Sequence, residues 1–348
     1  MMHVVAAPDK FRGTATAAQL ATAVVAAAQR AGATAEAMPM ADGGEGTLEV
    51  FGGANRTNVV TGPLGHPVEA AWRLDHGTAV IEMSQASGLS QAGGAKGNNP
   101  LEATTFGTGE LINAAISRGA NRIIVGVGGS ATTDGGLGAL KALYPTQRLR
   151  GIRVAVACDV RTRFVDAAEV FGPQKGANPS QIKMLHRRLE RLRDVYLKDY
   201  GTDVSKLKGA GAAGGLAGGL ACIGAELCNG FELLADEVDL FGRIEQADLV
   251  VTGEGSLDAT SLQGKVVGGI AEMAKAAGVP LLTVVGRTRK DAVEQYQSEY
   301  GKPDQADTPE CTQQYYGDLV SLSERYGMVK ARAETINLVS QVVADYIG

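Results

Sequence analysis

Arg122-Ile-Ile-Val-Gly126-Val-Gly128-Gly129-Ser130-Ala-Thr132-Thr133-Asp134-Gly-Gly136 is the stretch on which the fold turns. Its apolar start, Arg122–Val127, reads as a buried strand, and the strand breaks into a glycine loop carrying three hydroxyls and a carboxylate. Just before it, residues 108–118 set Leu111, Ile112, Ala115 and Ile116 at helical spacing, with Gly119 as the stop. The same alternation recurs along the chain. His3–Ala7, Thr34–Met40, Arg153–Cys158, Asp248–Thr252 and Leu281–Val285 are further short apolar runs. Between them, residues 17–31 and 265–277 have helical periodicity and end at Gly32 and Gly278. Strands alternating with helices of this length predict βαβ units, hence an α/β fold with a largely parallel sheet. In such sheets ligands gather beyond the carboxyl ends of the strands. Asp9, Asp42, Gly128, Asp159 and Glu254 all fall there.

The chain has 348 residues, a length that suggests two domains. Aromatics are only 5% while glycine numbers 47, so the core must be built from small aliphatic side chains and close backbone approaches. A net charge of −5 argues against nucleic acid or anionic membrane as partner. No apolar stretch has the length of a membrane span, and the N-terminus lacks the charged start of a signal peptide. Cys158, Cys222, Cys228 and Cys311 form no Cys-x-x-Cys pair, which fits reduced thiols in a cytoplasmic protein rather than a zinc site. Thr61-Gly-Pro-Leu-Gly-His66-Pro reads as an interdomain linker, and 287–327, with five tyrosines, as surface loop and short helix, a candidate subunit contact. Val329–Ile347 reads as a closing helix packed on the first strand.

Four loops combine glycine with an acid or a lysine. Besides the quoted one they are Asp42-Gly-Gly-Glu45, Gly172-Pro-Gln-Lys175-Gly and Gly253-Glu254-Gly255-Ser256-Leu-Asp258, the last running on to Gly264-Lys265. Backbone N–H groups of such loops can approach an anion closely, hydroxyls add donors, and carboxylates can hold a divalent metal or accept a proton. Together these groups suit phosphoryl transfer. A plain strand-to-helix turn needs one cap residue, whereas the quoted loop offers Ser130, Thr132, Thr133 and Asp134. Gly209-Ala-Gly211-Ala-Ala-Gly214 matches the dinucleotide fingerprint in letters, but a charged segment, not a strand, precedes it. No Gly-x4-Gly-Lys-Ser/Thr occurs.

These motifs resemble the bacterial glycerate kinases that yield 2-phosphoglycerate. The resemblance rests on Ala7-Pro-Asp-Lys-Phe-Arg-Gly13, Met40-Ala-Asp-Gly-Gly-Glu-Gly-Thr47, Phe106-Gly-Thr-Gly-Glu, the Gly128–Gly136 block, Phe171-Gly-Pro-Gln-Lys-Gly-Ala177, and Thr252-Gly-Glu-Gly-Ser-Leu-Asp258 through Lys265. It implies a two-domain α/β kinase using ATP and Mg²⁺, with a discontinuous Rossmann-like domain (1–60 plus 240–348) and an inserted α/β domain (61–239). The chain departs from the family at Arg161-Thr-Arg163, and at Lys10 and Arg12, where serine and lysine are usual.

The expected roles follow. The Gly128, Gly129 and Gly253, Gly255 loops cradle phosphates, with Ser130, Thr132 and Ser256 donating. One or two of Asp134, Glu254 and Asp258 hold Mg²⁺. Lys265 or Lys175 offsets charge on the transferred phosphoryl, and Asp42 or Asp159 accepts the hydroxyl proton. Substrate binding falls to Asp9, Lys10 and Arg12, with Lys10 or Arg12 pairing with the substrate carboxylate. The expected partners are ATP and a small hydroxy acid, in a monomer or homodimer whose domains close to exclude water. The alternatives are a kinase of a different hydroxy acid, a metal-dependent phosphatase, and a binding protein without turnover.

Overall fold

The computed structural model describes residues 1–301 and 317–348. Their strands are β1 (His3–Ala6), β2 (Thr34–Ala37), β3 (Arg56–Thr61), β4 (Pro67–Asp75), β5 (Thr78–Glu82), β6 (Arg122–Gly126), β7 (Arg153–Cys158), β8 (Glu226–Asn229), β9 (Leu249–Glu254), β10 (Leu281–Val285) and β11 (Gly317–Ser321). They form two sheets, ordered β11-β10-β9-β1-β2 and β3-β4-β5-β6-β7-β8. The fold is α/β, as the alternation predicts.

The chain divides into two compact units, Met1–Ala41 with Phe231–Gly348, and Asp42–Gly230. The sequence expectation set the joins at 60/61 and 239/240. Residues 56–61 are β3, which pairs in register with β4 (Val60 opposite Val68) and so belongs to the second sheet. At the ends of the second unit Gly230 lies on Asp42, so closely that a Cβ there would stand 2.0 Å from the Asp42 carbonyl oxygen.

The first unit's sheet is wholly parallel. Its inner strands β9 and β10 are almost entirely buried, the near-continuous apolar character of strands covered on both faces. Helix Ala17–Arg30 starts at a capping box, Thr16 with Gln19, and buries Leu20, Val24, Ala27 and Ala28. These pack with Val4 and Ala6 of β1 and with Leu338, Val339, Val342 and Val343. Full burial of each such valine or leucine contributes roughly 1.5–3 kcal/mol. The expected closing helix is two helices, Met328–Ala333 and Thr335–Ile347. Helix Lys290–Tyr300 buries Tyr296 and Tyr300, and the Tyr296 and Thr283 hydroxyls share a 2.7 Å hydrogen bond. Those two tyrosines are core residues, not the surface expected. Cys311, Tyr315 and Tyr316 lie outside the described residues.

The second unit's sheet is mixed: β3, β4 and β5 are antiparallel, and β5 to β8 parallel. The Thr61–Pro67 stretch is a hairpin loop between β3 and β4, closed by the Gly62 N–H to the His66 carbonyl at 2.7 Å, and not a linker. Trp72 and Leu111 lie in one core cluster with Ile123, Val125 and Leu216. Helix Pro179–Tyr200 turns Leu185, Leu189, Leu192 and Tyr196 onto a second cluster, so its basic residues form the solvated face.

Candidate active site

In the first unit the functional side chains collect where β1 and β9 end. The Asp9 N–H donates to the Gly253 carbonyl at 2.9 Å, which ties the two strand exits together. Asp9 Oδ1 accepts the Lys10 N–H at 2.7 Å and lies 3.5 Å from Lys10 Nζ. Gly253 is required by space: a Cβ there would sit 1.8 Å from the Val284 carbonyl oxygen. Gly255 runs against the backbone of Phe11 and Arg12, placing Ser256 beside that loop. Ser256 Oγ accepts from Arg287 Nε at 3.0 Å.

Glu254 Oε1 is buried with no hydrogen-bond partner. Burial pushes this carboxyl up to about 7, and the negative Asp9 and Asp258 add to the rise against a Ser261 hydrogen bond and the Lys265 charge. Asp258 is held the other way, below its ordinary range, first by the Thr260 hydroxyl. Its Oδ1 accepts the Thr260 hydroxyl at 2.6 Å and the Thr260 N–H at 2.9 Å. Lys265 immediately precedes helix Val266–Ala277. One corner therefore holds Asp9, Lys10, Glu254, Asp258 and Lys265.

In the second unit the Asp42–Thr47 loop lies over the ends of β6 and β7. The Gly43 carbonyl accepts the Val127 N–H at 2.9 Å, and a Cβ on Gly128 would stand 2.5 Å from Gly44 Cα. Asp42 Oδ1 accepts the Gly44 N–H at 3.3 Å. Glu82, at the end of β5, anchors this loop: its Oε1 accepts the N–H groups of Gly46 at 3.0 Å and Leu48 at 2.9 Å. Burial raises its carboxyl, and those N–H bonds oppose the rise. The sequence reading passed over Glu82, although Thr-Ala-Val-Ile-Glu82 is another apolar run ending in an acid. Asp159 follows β7 and is exposed.

Ser130, Thr132, Asp134 and Lys175 are placed differently from the expectation. Gly128 and Gly129 form the accessible tip of their loop, while residues 130–136 are buried. The Thr132 hydroxyl, fully buried, donates to the Ala213 carbonyl at 3.4 Å. Asp134 Oδ2 accepts from the Thr105 N–H and hydroxyl, both at 2.9 Å, and from the Gly138 N–H at 3.1 Å, and Oδ1 accepts the Gly136 N–H at 3.0 Å. Four donors on one carboxylate describe a cap joining two helix starts rather than a metal ligand. Lys175 is 2% exposed, and its Nζ donates to the Thr132 carbonyl at 2.6 Å. Burial pushes this ammonium down to about 7 against the pull of Asp134.

Acids, a lysine and close-packed glycines where β1 and β9 end in the first unit are groups that suit a phosphotransferase. The glycerate kinase family model matches residues 4–146 and 144–303. A glycerate kinase of Haemophilus influenzae is 37% identical over 330 residues, covering 83% of this chain and 87% of the relative. Glycerate 2-kinase of Escherichia coli K12 is 38% identical over 330 residues, covering 83% and 86%. A crystal structure from Salmonella typhimurium LT2, bearing the name glycerate kinase 2, superposes with a TM-score of 0.77 at 32% identity, covering 100% of this chain and 98% of that one. The chain belongs to the glycerate kinase family. It is accordingly a kinase, and kinases of this family use ATP.

Proposed function

We propose that the protein transfers the γ-phosphoryl group of ATP to the 2-hydroxyl of D-glycerate, giving 2-phosphoglycerate, ADP and a proton. The observation that carries this reading is the β9 corner, where Glu254 keeps a buried oxygen without a partner among Asp9, Asp258 and Lys265. A carboxylate left unsatisfied at such cost is suited to a hard cation, and Mg²⁺ takes one or two carboxylates together with substrate phosphates rather than a full protein cage. Glu254 and Asp258 are the residues that would hold Mg²⁺; Asp134, fully engaged as a cap, would not. Held there, Mg²⁺ would supply positive charge to offset that of the phosphates.

The protein's own groups do the rest. Lys265 offsets charge on the transferred phosphoryl. Lys10, oriented by Asp9, or Arg12 pairs with the glycerate carboxylate. The N–H groups of the Gly128–Gly129 tip, and those of Gly255 and Ser256, hold phosphate oxygens. Asp42 or Asp159 takes the hydroxyl proton, a modest task because phosphoryl transfer depends on position and charge more than on a strong base. The free thiols of Cys158, Cys222 and Cys228 support a cytoplasmic setting, and we take the active form to be a monomer or homodimer.

The test is incubation with ATP, Mg²⁺ and D-glycerate, with ADP release followed and the product identified by phosphorus NMR. Glycerate-dependent 2-phosphoglycerate is expected. Product phosphorylated at the 3-position, or ADP release indifferent to glycerate, overturns the reading.

A further inference from the structure

We propose that Asn98 and Lys175 are positioning residues that clamp the root of the Gly128–Asp134 loop and so set its Gly128–Gly129 tip for the phosphates of ATP. The proposal rests on the reading above that this tip holds phosphate. The loop is secured at both ends by ordinary means. On one side the Leu89 N–H donates to the Gly129 carbonyl at 2.8 Å and the Ala131 N–H to the Ser87 carbonyl at 3.0 Å. On the other side stands the Asp134 cap.

The step between them, Ala131–Thr132, belongs to neither helix nor strand, and its two carbonyls are taken by side chains from distant segments. Asn98 Nδ2 donates to the Ala131 carbonyl at 3.0 Å, and Lys175 Nζ to the Thr132 carbonyl at 2.6 Å. The two donors are themselves joined, because Asn98 Nδ2 also donates to the Lys175 carbonyl at 2.9 Å. Gly176, next to Lys175, packs on the Ala95 carbonyl, which brings the two segments together.

The chemistry of these side chains fits no simpler role. A lysine is among the residues least often fully buried, and burying one against a neutral carbonyl is costly. The nearby Asp134 carboxylate has both oxygens engaged by other donors. Asn98 is used through its NH₂ alone, since its Oδ1 is buried without a partner. A packing role would be met by methionine and by leucine without those unsatisfied polar atoms. What polar donors add is a fixed orientation of two consecutive peptide planes, and a planar trans peptide transmits that orientation to its neighbours. Because Lys175 is enclosed, it acts through Thr132 and does not itself reach the phosphoryl group.

Asn98→Ala and Lys175→Met separate this role from others. ATP affinity is measured by calorimetric titration with MgATP alone, and KM and kcat in the glycerate assay. Trp72, the single tryptophan, is buried in the same unit and reports folding by fluorescence. The expected result is a Kd for ATP weakened about tenfold or more in each variant. The KM for glycerate should stay within about twofold, and the double variant should be little worse than either single one, as two halves of one clamp require. If Lys175→Met does not fold, Asn98→Ala carries the test. A Kd for ATP unchanged in variants with native Trp72 fluorescence overturns the proposal. So does a collapse of kcat in Lys175→Met at unchanged ATP affinity, which would make the ammonium a catalytic group. Lack of glycerate turnover in the wild type would sink the glycerate reading and leave the ATP titration standing.

Discussion

Replacing Glu254 with glutamine should stabilise the protein while abolishing its chemistry, and the gain should depend on pH. The carboxyl's ordinary value of 4.5 rises to about 7 in the fold. The folded value is the higher one, so the cost of this group is absent below pH 4.5, grows as pH rises towards 7, and is constant above it. At 1.36 kcal/mol per pH unit, ionising the buried carboxyl costs ~3 kcal/mol by pH 8. Glutamine keeps the shape and never ionises. In nucleotide-free protein with chelator present, urea unfolding followed by circular dichroism should place Glu254→Gln within ~1 kcal/mol of wild type at pH 5 and ~3 kcal/mol above it at pH 8. MgATP should stabilise the wild type more than the variant, since only the wild type regains the lost energy through the cation. Equal stability differences at the two pH values would falsify the account of Glu254 as a buried, unsatisfied carboxylate. Retained phosphoryl transfer in the variant would remove it from the metal site.

Other substitutions test the remaining supports. Glu82→Ala leaves the Gly46 and Leu48 N–H groups without their acceptor, and should cost about 2 kcal/mol in denaturation along with kcat/KM; Glu82→Gln, which keeps an acceptor oxygen, should recover most of both. Gly253→Ala forces a methyl against the Val284 carbonyl and should lose about 3 kcal/mol or fail to fold, so a variant of wild-type stability would contradict the packing at that strand exit. Lys265→Ala should lower kcat by roughly 10²–10³ in steady-state assays, far more than Asp42→Asn or Asp159→Asn; near-normal turnover removes the lysine from the charge-offsetting role.

The parallel part of the fold was legible because buried parallel strands are short apolar runs and their helices are amphipathic. Helix Ala17–Arg30 and strands β6, β7 and β10 lie close to where periodicity places them. The β3–β4 hairpin was missed because Arg-Thr-Asn-Val-Val-Thr carries few apolar residues and its turn is rich in Gly and Pro, the composition of a linker. The discontinuity of the first unit came from the resemblance, since no local pattern records that β1 pairs with β9. At the site, residue type marked the right loops but not their depth. Asp134 and Thr132 have the composition of phosphate ligands, and only tertiary neighbours, Thr105 and Ala213, show that their bonds are already taken. Glu82 and Asn98 act on backbone atoms 33 or more residues away, a relation that spacing along the chain cannot express.

The meeting of Asp42 and Gly230 bears on the order in which the chain acquires structure. β1 must find β9, and the His3 N–H meets an Asp248 oxygen 245 residues later in the chain. Every residue of the second unit leaves the ribosome before β9 does, and that unit is contiguous. Once it has folded, its two ends are in contact. The closure left to β1 and β9 then spans roughly 55 flexible residues instead of about 245, which at (3/2)RT ln n lowers the entropic cost by ~1.3 kcal/mol. The inserted segment is thus a folded bridge: made first, it turns the most distant strand pairing among the described residues into a near-local one.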